Sequence, residues 1–311
     1  PRTIKPTYVE VSFSSQCQLR CSYCNPETSS SIAKEVEQNG PYPDRFTLMG
    51  VNDRTLRGVL PLGEQSNQEN PYVNAFWQWL PTVYDDLEVL RVTGGEPFLS
   101  EDTFRFMDYV KNHPNPTMAI EFNSNLSFHA PVFQRFEKAF SLIPRENYKS
   151  TTLYVSLDCW GERAEYIRFG MRISEIEKNI VRLLEKFPQM RLTITSTISL
   201  LGIQTFNQLL DKVIELKDKW GSHRISLTAY PLVFPPFQAV CLASEELKAE
   251  LQLTEARAIE CDKFSVREKE MISAISASSR QVVNQGLQNK LKIDFYRFFD
   301  TYDKRKKTSL V

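Results

Sequence analysis

Six short runs rich in Val, Ile, Leu, Thr, Tyr and Phe recur along the chain: TYVEVSF (7–13), LEVLRVTGG (87–95), MAIEFNSNL (118–126), TTLYVSLD (151–158), RLTITSTISL (191–200) and RISLTAYPL (224–232). Most are nearly continuous in apolar character, which predicts strands covered on both faces. Between them the apolar positions shift to a helical period, in SEDTFRFMDYVKNH (100–113), APVFQRFEKAFSLI (130–143), ISEIEKNIVRLLEKF (173–187) and IQTFNQLLDKVIELKDKW (203–220). Ser100 with Thr103 marks one helix start, and Ser174 with Glu177 reads as a capping box at another. Six strands alternating with helices predict a parallel α/β fold.

Two regions depart from this rhythm. Residues 25–86 separate the first two strands and carry Pro and Gly punctuation, which predicts an irregular insertion with helices near 28–38 and 74–80. Within it, residues 58–90 hold five acids and no Lys or Arg, which reads as a solvated loop. After residue 240 the pattern is helical and polar over 244–264 and 266–292, and residues 293–307 form an aromatic cluster with a basic tail. The expected organisation is therefore a domain over 1–240 and a mainly helical C-terminal extension over 241–311.

Composition narrows the classes. The 311 residues are 41% hydrophobic and 12% aromatic, a globular balance rather than a disordered one. Lys plus Arg and Asp plus Glu both total 38, which argues against a dedicated DNA or RNA binder, whose footprint is basic. No charged-then-apolar segment opens the chain. The uncharged stretch 225–244 contains Pro231, Pro235 and Pro236, which a membrane-spanning helix would not tolerate well. The reading is a protein without a membrane partner, in a cytoplasmic, reducing compartment. The scattered Cys159, Cys241 and Cys261 build no disulfide framework.

The other three cysteines do cluster. Cys17, Cys21 and Cys24 are spaced C-x3-C-x2-C directly after the first strand. A structural zinc site wants four ligands, usually in two C-x2-C pairs, and there is no second pair. None of His113, His129 and His223 sits at a knuckle spacing from another ligand. A three-ligand catalytic zinc stays open as an alternative. An iron–sulfur cluster fits thiolates better, and three of them leave one iron of a four-iron cluster free to chelate a small ligand.

This triplet, with the aromatic Tyr23 just before the last cysteine, resembles the signature of the radical S-adenosylmethionine (SAM) enzymes. A second landmark of that family, a Gly-Gly-Glu-Pro run at the end of the second strand, is matched by Gly94, Gly95, Glu96 and Pro97. The resemblance implies a partial (β/α)6 TIM-like barrel and two cofactors, a [4Fe–4S] cluster held by Cys17, Cys21 and Cys24, and SAM chelated to its fourth iron. It implies an enzyme that cleaves SAM reductively to a 5′-deoxyadenosyl radical, which abstracts a hydrogen from substrate. Gly94 and Gly95 are expected to let backbone approach the ligand, Glu96 to meet the SAM ammonium and Pro97 to fix the turn. By the same resemblance Asn123, Asn125, Ser156, Asp158, Arg168 and Ser199, at or just past strand ends, are candidate SAM contacts. Each is also the kind of residue that caps a turn.

ERAEYIRFG and FYRFFDTYDKRKK resemble the twitch or SPASM-type group, many of whose members modify ribosomally made peptides. With only Cys241 and Cys261 after residue 240, an auxiliary cluster is not expected. The resemblance implies a precursor-peptide substrate changed by epimerisation, crosslinking or backbone excision. It also implies a small leader-binding partner protein and a one-electron reductant such as flavodoxin or ferredoxin. For an epimerisation, Cys159 or Cys241 is the candidate hydrogen donor. The competing readings are a radical SAM enzyme acting on a small molecule or nucleotide, and a non-catalytic iron–sulfur or metal-binding protein.

Overall fold

A computed structural model describes residues 5–43 and 70–309. Six strands form one sheet: β1 (Tyr8–Ser12), β3 (Val89–Thr93), β4 (Asn115–Ser124), β5 (Tyr148–Ser156), β7 (Met190–Ile198) and β8 (Ile225–Pro231). They pair in parallel and in chain order from β1 to β8. The connections carry α3 (Glu101–Asn112), α4 (Ala130–Ser141), α6 (Ile173–Lys186) and α7 (Ile203–Trp220). Sequential right-handed crossovers place successive helices on the same side, so the sheet curls into a partial TIM-like barrel. Two-residue strands β2 (Arg20–Cys21) and β6 (Arg168–Phe169) pair antiparallel, with α5 (Glu162–Ile167) just before β6. The predicted helices near 28–38 and 74–80 are α1 (Ser30–Asn39) and α2 (Pro71–Val83). Of the acid-rich stretch, residues 58–69 lie outside the described residues.

The strands are not apolar on both faces. Leu90, Val92, Ile120, Phe122, Leu153, Val155, Leu192 and Ile194 are buried toward the helices. The alternate positions carry a polar concave face, which corrects the expectation of two covered faces. In β7 the alternation is plain in Arg191, Thr193, Thr195 and Thr197. Threonine is β-branched like valine, so a strand of Thr and Ile looks apolar throughout until its period of two is read. One row of partners across the sheet is charged: Glu10, Arg91 and Glu121, followed by Thr152 and Arg191. The rows above it are uncharged, with Asn123, Tyr154, Thr193 and Ser226, then Ser156, Thr195 and Thr228. A cavity of about 590 Å³ opens over the β5–β8 part of this face.

Helix starts also differ from expectation. Ser174 lies inside α6, whose N-cap is Arg172, so no capping box forms there. A true one forms at Ser265 with Glu268. The stretch 266–292 is not one helix. α9 (Val266–Ser279) ends before α10 (Gln285–Lys306), and the Asn284 side chain caps the new start by accepting from Gly286 and Leu287 N–H. α8 (Glu245–Glu260) and α9 pack at the β8 edge, while α10 turns back to the other end of the molecule. Leu251, Ile272, Phe298 and Tyr302 of these helices belong to the same buried core as the sheet.

Candidate functional site

β1 leads straight into the cysteine loop, and the chain returns through β3 to Gly94–Pro97. These two segments continue each other's hydrogen bonding beyond the strands: Gly95 N–H donates to Ser14 O (3.0 Å) and Glu96 N–H to Gln16 O (2.6 Å). The contact is so close that a side chain would not fit. A Cβ on Gly95 would stand 2.4 Å from Gln16 O, and one on Gly94 2.6 Å from Ser14 O. Gly94 also has φ +124°, a conformation that favours glycine. The close approach expected of these glycines is thus met by the backbone of the cysteine loop itself.

Glu96 lies beneath this contact, 1% exposed. Its carboxylate accepts from Asn125 N–H (2.8 Å), Phe98 N–H (3.2 Å) and the Ser124 hydroxyl (3.1 Å). Burial pushes its pKa up to about 7 even against those bonds. Pro97 opens a single helical turn, Pro97–Leu99. Asn125 faces Gln18 of the cysteine loop: Gln18 Nε2 donates to Asn125 Oδ1 (3.0 Å) and to Ser127 O (3.0 Å).

The loop is tied down on its other side as well. Ser22 N–H donates to Ile167 O (2.7 Å), and the fully buried Gln238 brackets Ser22 by accepting from its hydroxyl (3.0 Å) and donating to its carbonyl (2.8 Å). The β2–β6 pair sets Cys21 opposite Arg168. Arg168 forms a bidentate pair with Asp158 (2.8 and 2.9 Å), and Asp158 also accepts from the Tyr23 hydroxyl (2.6 Å) and Thr197 N–H (2.9 Å). Burial alone would lower the Arg168 pKa, but Asp158 and Tyr23 beside it hold the guanidinium charged. Asp158, Arg168 and Tyr23 therefore form one network locked to the cysteine loop. Asn123 lies elsewhere, on the concave face, accepting from Arg91 Nε (2.8 Å).

The three thiols are half-buried and close enough to act on one another electrostatically. Burial pushes Cys17 up to about 11 and raises Cys21, which Arg168 opposes. Among the described residues no group of three or more His, Cys, Asp or Glu side chains is set to hold a single metal ion. In a four-iron cube each thiolate takes a different iron, so its ligands stand apart. Three coupled thiols next to a buried guanidinium suit such a group, whose binding would draw off their protons. Ser199 Oγ and Thr195 Oγ1, both buried, have no hydrogen-bond partner among the described residues and leave acceptor and donor capacity for a bound group. Ser156 sits half-buried at the end of β5.

Cys159 is fully buried in the core beside Gly202 and Thr205, and burial pushes its thiol up to about 12. Cys241 is half-buried, and neither cysteine lines the 590 Å³ cavity. Sequence reasoning passed over Gln18, Ser124 and Gln238, whose partners lie 107, 28 and 216 residues away. The only sequence signal was the place of Gln18 inside the cysteine triplet and of Ser124 between Asn123 and Asn125.

No protein-family profile and no curated protein matches the chain. Among solved structures it is similar to Streptococcus suis SuiB bound to S-adenosylmethionine, at 13% identity and TM-score 0.48, over 82% of this chain and 48% of that one. It is similar to SuiB bound to precursor peptide SuiA at 15% and 0.45, over 73% and 40%, and to anSMEcpe with bound AdoMet at 12% and 0.47, over 82% and 59%. The chain spans less than two thirds of each of these proteins, and the likeness is one of fold.

Proposed function

We propose that this chain is a radical SAM enzyme, holding a [4Fe–4S] cluster on Cys17, Cys21 and Cys24 and SAM beside it. The observation that carries the reading is the joining of its two motifs: the cysteine loop and Gly94–Pro97 are in backbone contact, with Arg168 set opposite Cys21. Bound there, cluster and SAM would supply one-electron cleavage of SAM to methionine and a 5′-deoxyadenosyl radical. The chain's own residues hold that chemistry in place. Arg168 offsets negative charge on the thiolates, and Asp158 keeps Arg168 from turning away. Glu96 fixes the turn after β3 through Asn125 and Phe98.

The substrate we infer is a ribosomally made precursor peptide, lying over the uncharged rows of the concave face. Their hydroxyls both donate and accept, which matches a backbone that offers N–H and C=O in turn. The size of the cavity, about 590 Å³, favours a second reading, a small-molecule substrate. Half-buried Cys241 is the more accessible candidate hydrogen donor for an epimerisation.

Anaerobic reconstitution tests the class. Wild-type protein is expected to bind iron and sulfide in equal amounts and to release 5′-deoxyadenosine on reduction. Cys17→Ala, Cys21→Ala and Cys24→Ala are each expected to lose both. Zinc in place of iron, or no SAM cleavage under strong reduction, would refute it. Precursor peptides that raise 5′-deoxyadenosine release and change mass support the peptide reading; stimulation only by metabolites supports the other.

A further inference from the structure

The last turns of α10 reach the cysteine loop from the far end of the chain. Glu35 on α1 is 5% exposed, and Lys306 Nζ donates to its carboxylate across 271 residues of sequence. The Lys306 side chain is 0% exposed. The same carboxylate accepts from the Tyr42 hydroxyl at 2.5 Å and lies 3.5 Å from Arg20 Nη1 and 4.0 Å from Arg305 Nη1. One buried carboxylate thus faces Lys306 and two guanidinium groups, and one of those, Arg20, directly precedes Cys21.

Further contacts bear on the same turn. The Tyr302 hydroxyl donates to Tyr166 O (2.7 Å) and lies 3.4 Å from Arg20 O, joining the end of α5 to the start of β2. Tyr166 donates in return to Asp303 (2.8 Å). Arg20 and Lys306 both lie over the Phe169 ring, at 4.7 and 5.3 Å. Arg305 donates to Asn39 O and Pro41 O, just past α1. Tyr302 thus reaches the cysteine loop at Arg20, and Lys306 and Arg305 reach α1 just after it.

We propose that the end of α10 is a latch on the cysteine loop, with Lys306 and Tyr302 as positioning residues that keep the Cys21 turn in the shape that retains the cluster. This rests on the cluster reading above. Groups that hold ligands in place without touching the metal commonly change its retention by an order of magnitude when removed, which sets the expected size of the effect.

The test follows cluster absorbance after a chelator is added to reconstituted protein, together with amide hydrogen exchange of residues 17–24 in metal-free protein. Lys306→Met is expected to lose the cluster ~10-fold faster than wild type and to expose amides 17–24. Tyr302→Phe, which keeps the ring and loses both hydroxyl contacts, is expected to do the same to a smaller degree, and Lys306→Arg to restore retention. Lys304→Ala, which breaks an exposed pair on the outer face of the same helix, is expected to leave both readouts at wild-type values. Wild-type retention in Lys306→Met and Tyr302→Phe would overturn the latch, as would equal loss in Lys304→Ala. If Lys306→Met does not fold, Tyr302→Phe decides. If wild-type protein takes up no cluster, the function reading falls, and the latch stands or falls on the exchange of amides 17–24 alone.

Discussion

Among the described residues two lysine–glutamate pairs are buried, and they are built differently. Lys217 of α7 meets Glu268 of α9 at 2.7 and 2.8 Å, with side chains 2% and 5% exposed. Glu268 also accepts from Leu227 N–H (2.8 Å), Ser265 N–H (2.7 Å) and the Ser265 hydroxyl (2.8 Å), while Lys217 donates its remaining bond capacity to Lys263 O. The charges balance, and the pair also lines the 590 Å³ cavity. Leu227 lies on β8, an edge strand whose outward N–H would otherwise lack a partner, so this pair closes the sheet. Among the described residues the Lys306–Glu35 pair is flanked by the Tyr42 hydroxyl, Arg20 and Arg305, and burial lowers the Lys306 pKa to about 7. A balanced, saturated pair explains itself as architecture.

Breaking the balanced pair should have the largest effect on stability. Lys217→Met leaves Glu268 buried without its counter-charge, and unfolding in urea is expected to show a loss of ~3–5 kcal/mol. Lys306→Met should cost less, because Arg20 and Arg305 remain to face Glu35; a loss equal to that of Lys217→Met would erase the distinction.

The pH dependence of stability sharpens the contrast between carboxylates. Burial would raise Glu268, but the bonds from Lys217, Ser265 and Leu227 hold it below the usual carboxylate range. Its contribution is therefore present above the ordinary value, about 4.3, and is lost as pH falls through the lowered one. Glu96 has the opposite sign. Its pKa is raised to about 7, so the metal-free protein is most stable below its ordinary range and loses stability as pH rises toward 7. Urea midpoints across pH should show both slopes, with Glu268→Gln removing the acid one and Glu96→Gln the neutral one.

The smallest effect is expected one turn from the latch. Lys304 pairs with Asp300 at 2.7 Å, but both are well exposed. Lys304→Ala should change stability by less than about 0.5 kcal/mol and leave cluster retention unaltered.

Much of this was legible from residue order. The six strands and the helices between them follow from local pattern, and the cysteine triplet and Gly94–Pro97 are contiguous motifs. Three things were not. The alternation on the concave face was hidden because Thr193, Thr195 and Thr197 resemble apolar β-formers. The break at 280–284 carries no Gly or Pro, and its one signal was Asn284 ahead of Gly286. The groups that brace the site, among them Glu35, Lys306, Tyr302 and Gln238, are brought together only by tertiary folding. No local period encodes a pairing across 216 or 271 residues.

The distance in sequence between Glu35 and Lys306 also orders events during synthesis. The thiol-bearing turn is translated before the helix that closes over it, whose Lys306 lies 271 residues after Glu35. Until residue 306 has been translated and has folded back, iron reaching Cys17, Cys21 and Cys24 meets an unbraced segment. On the cluster reading proposed above, loading before that point would go without the latch.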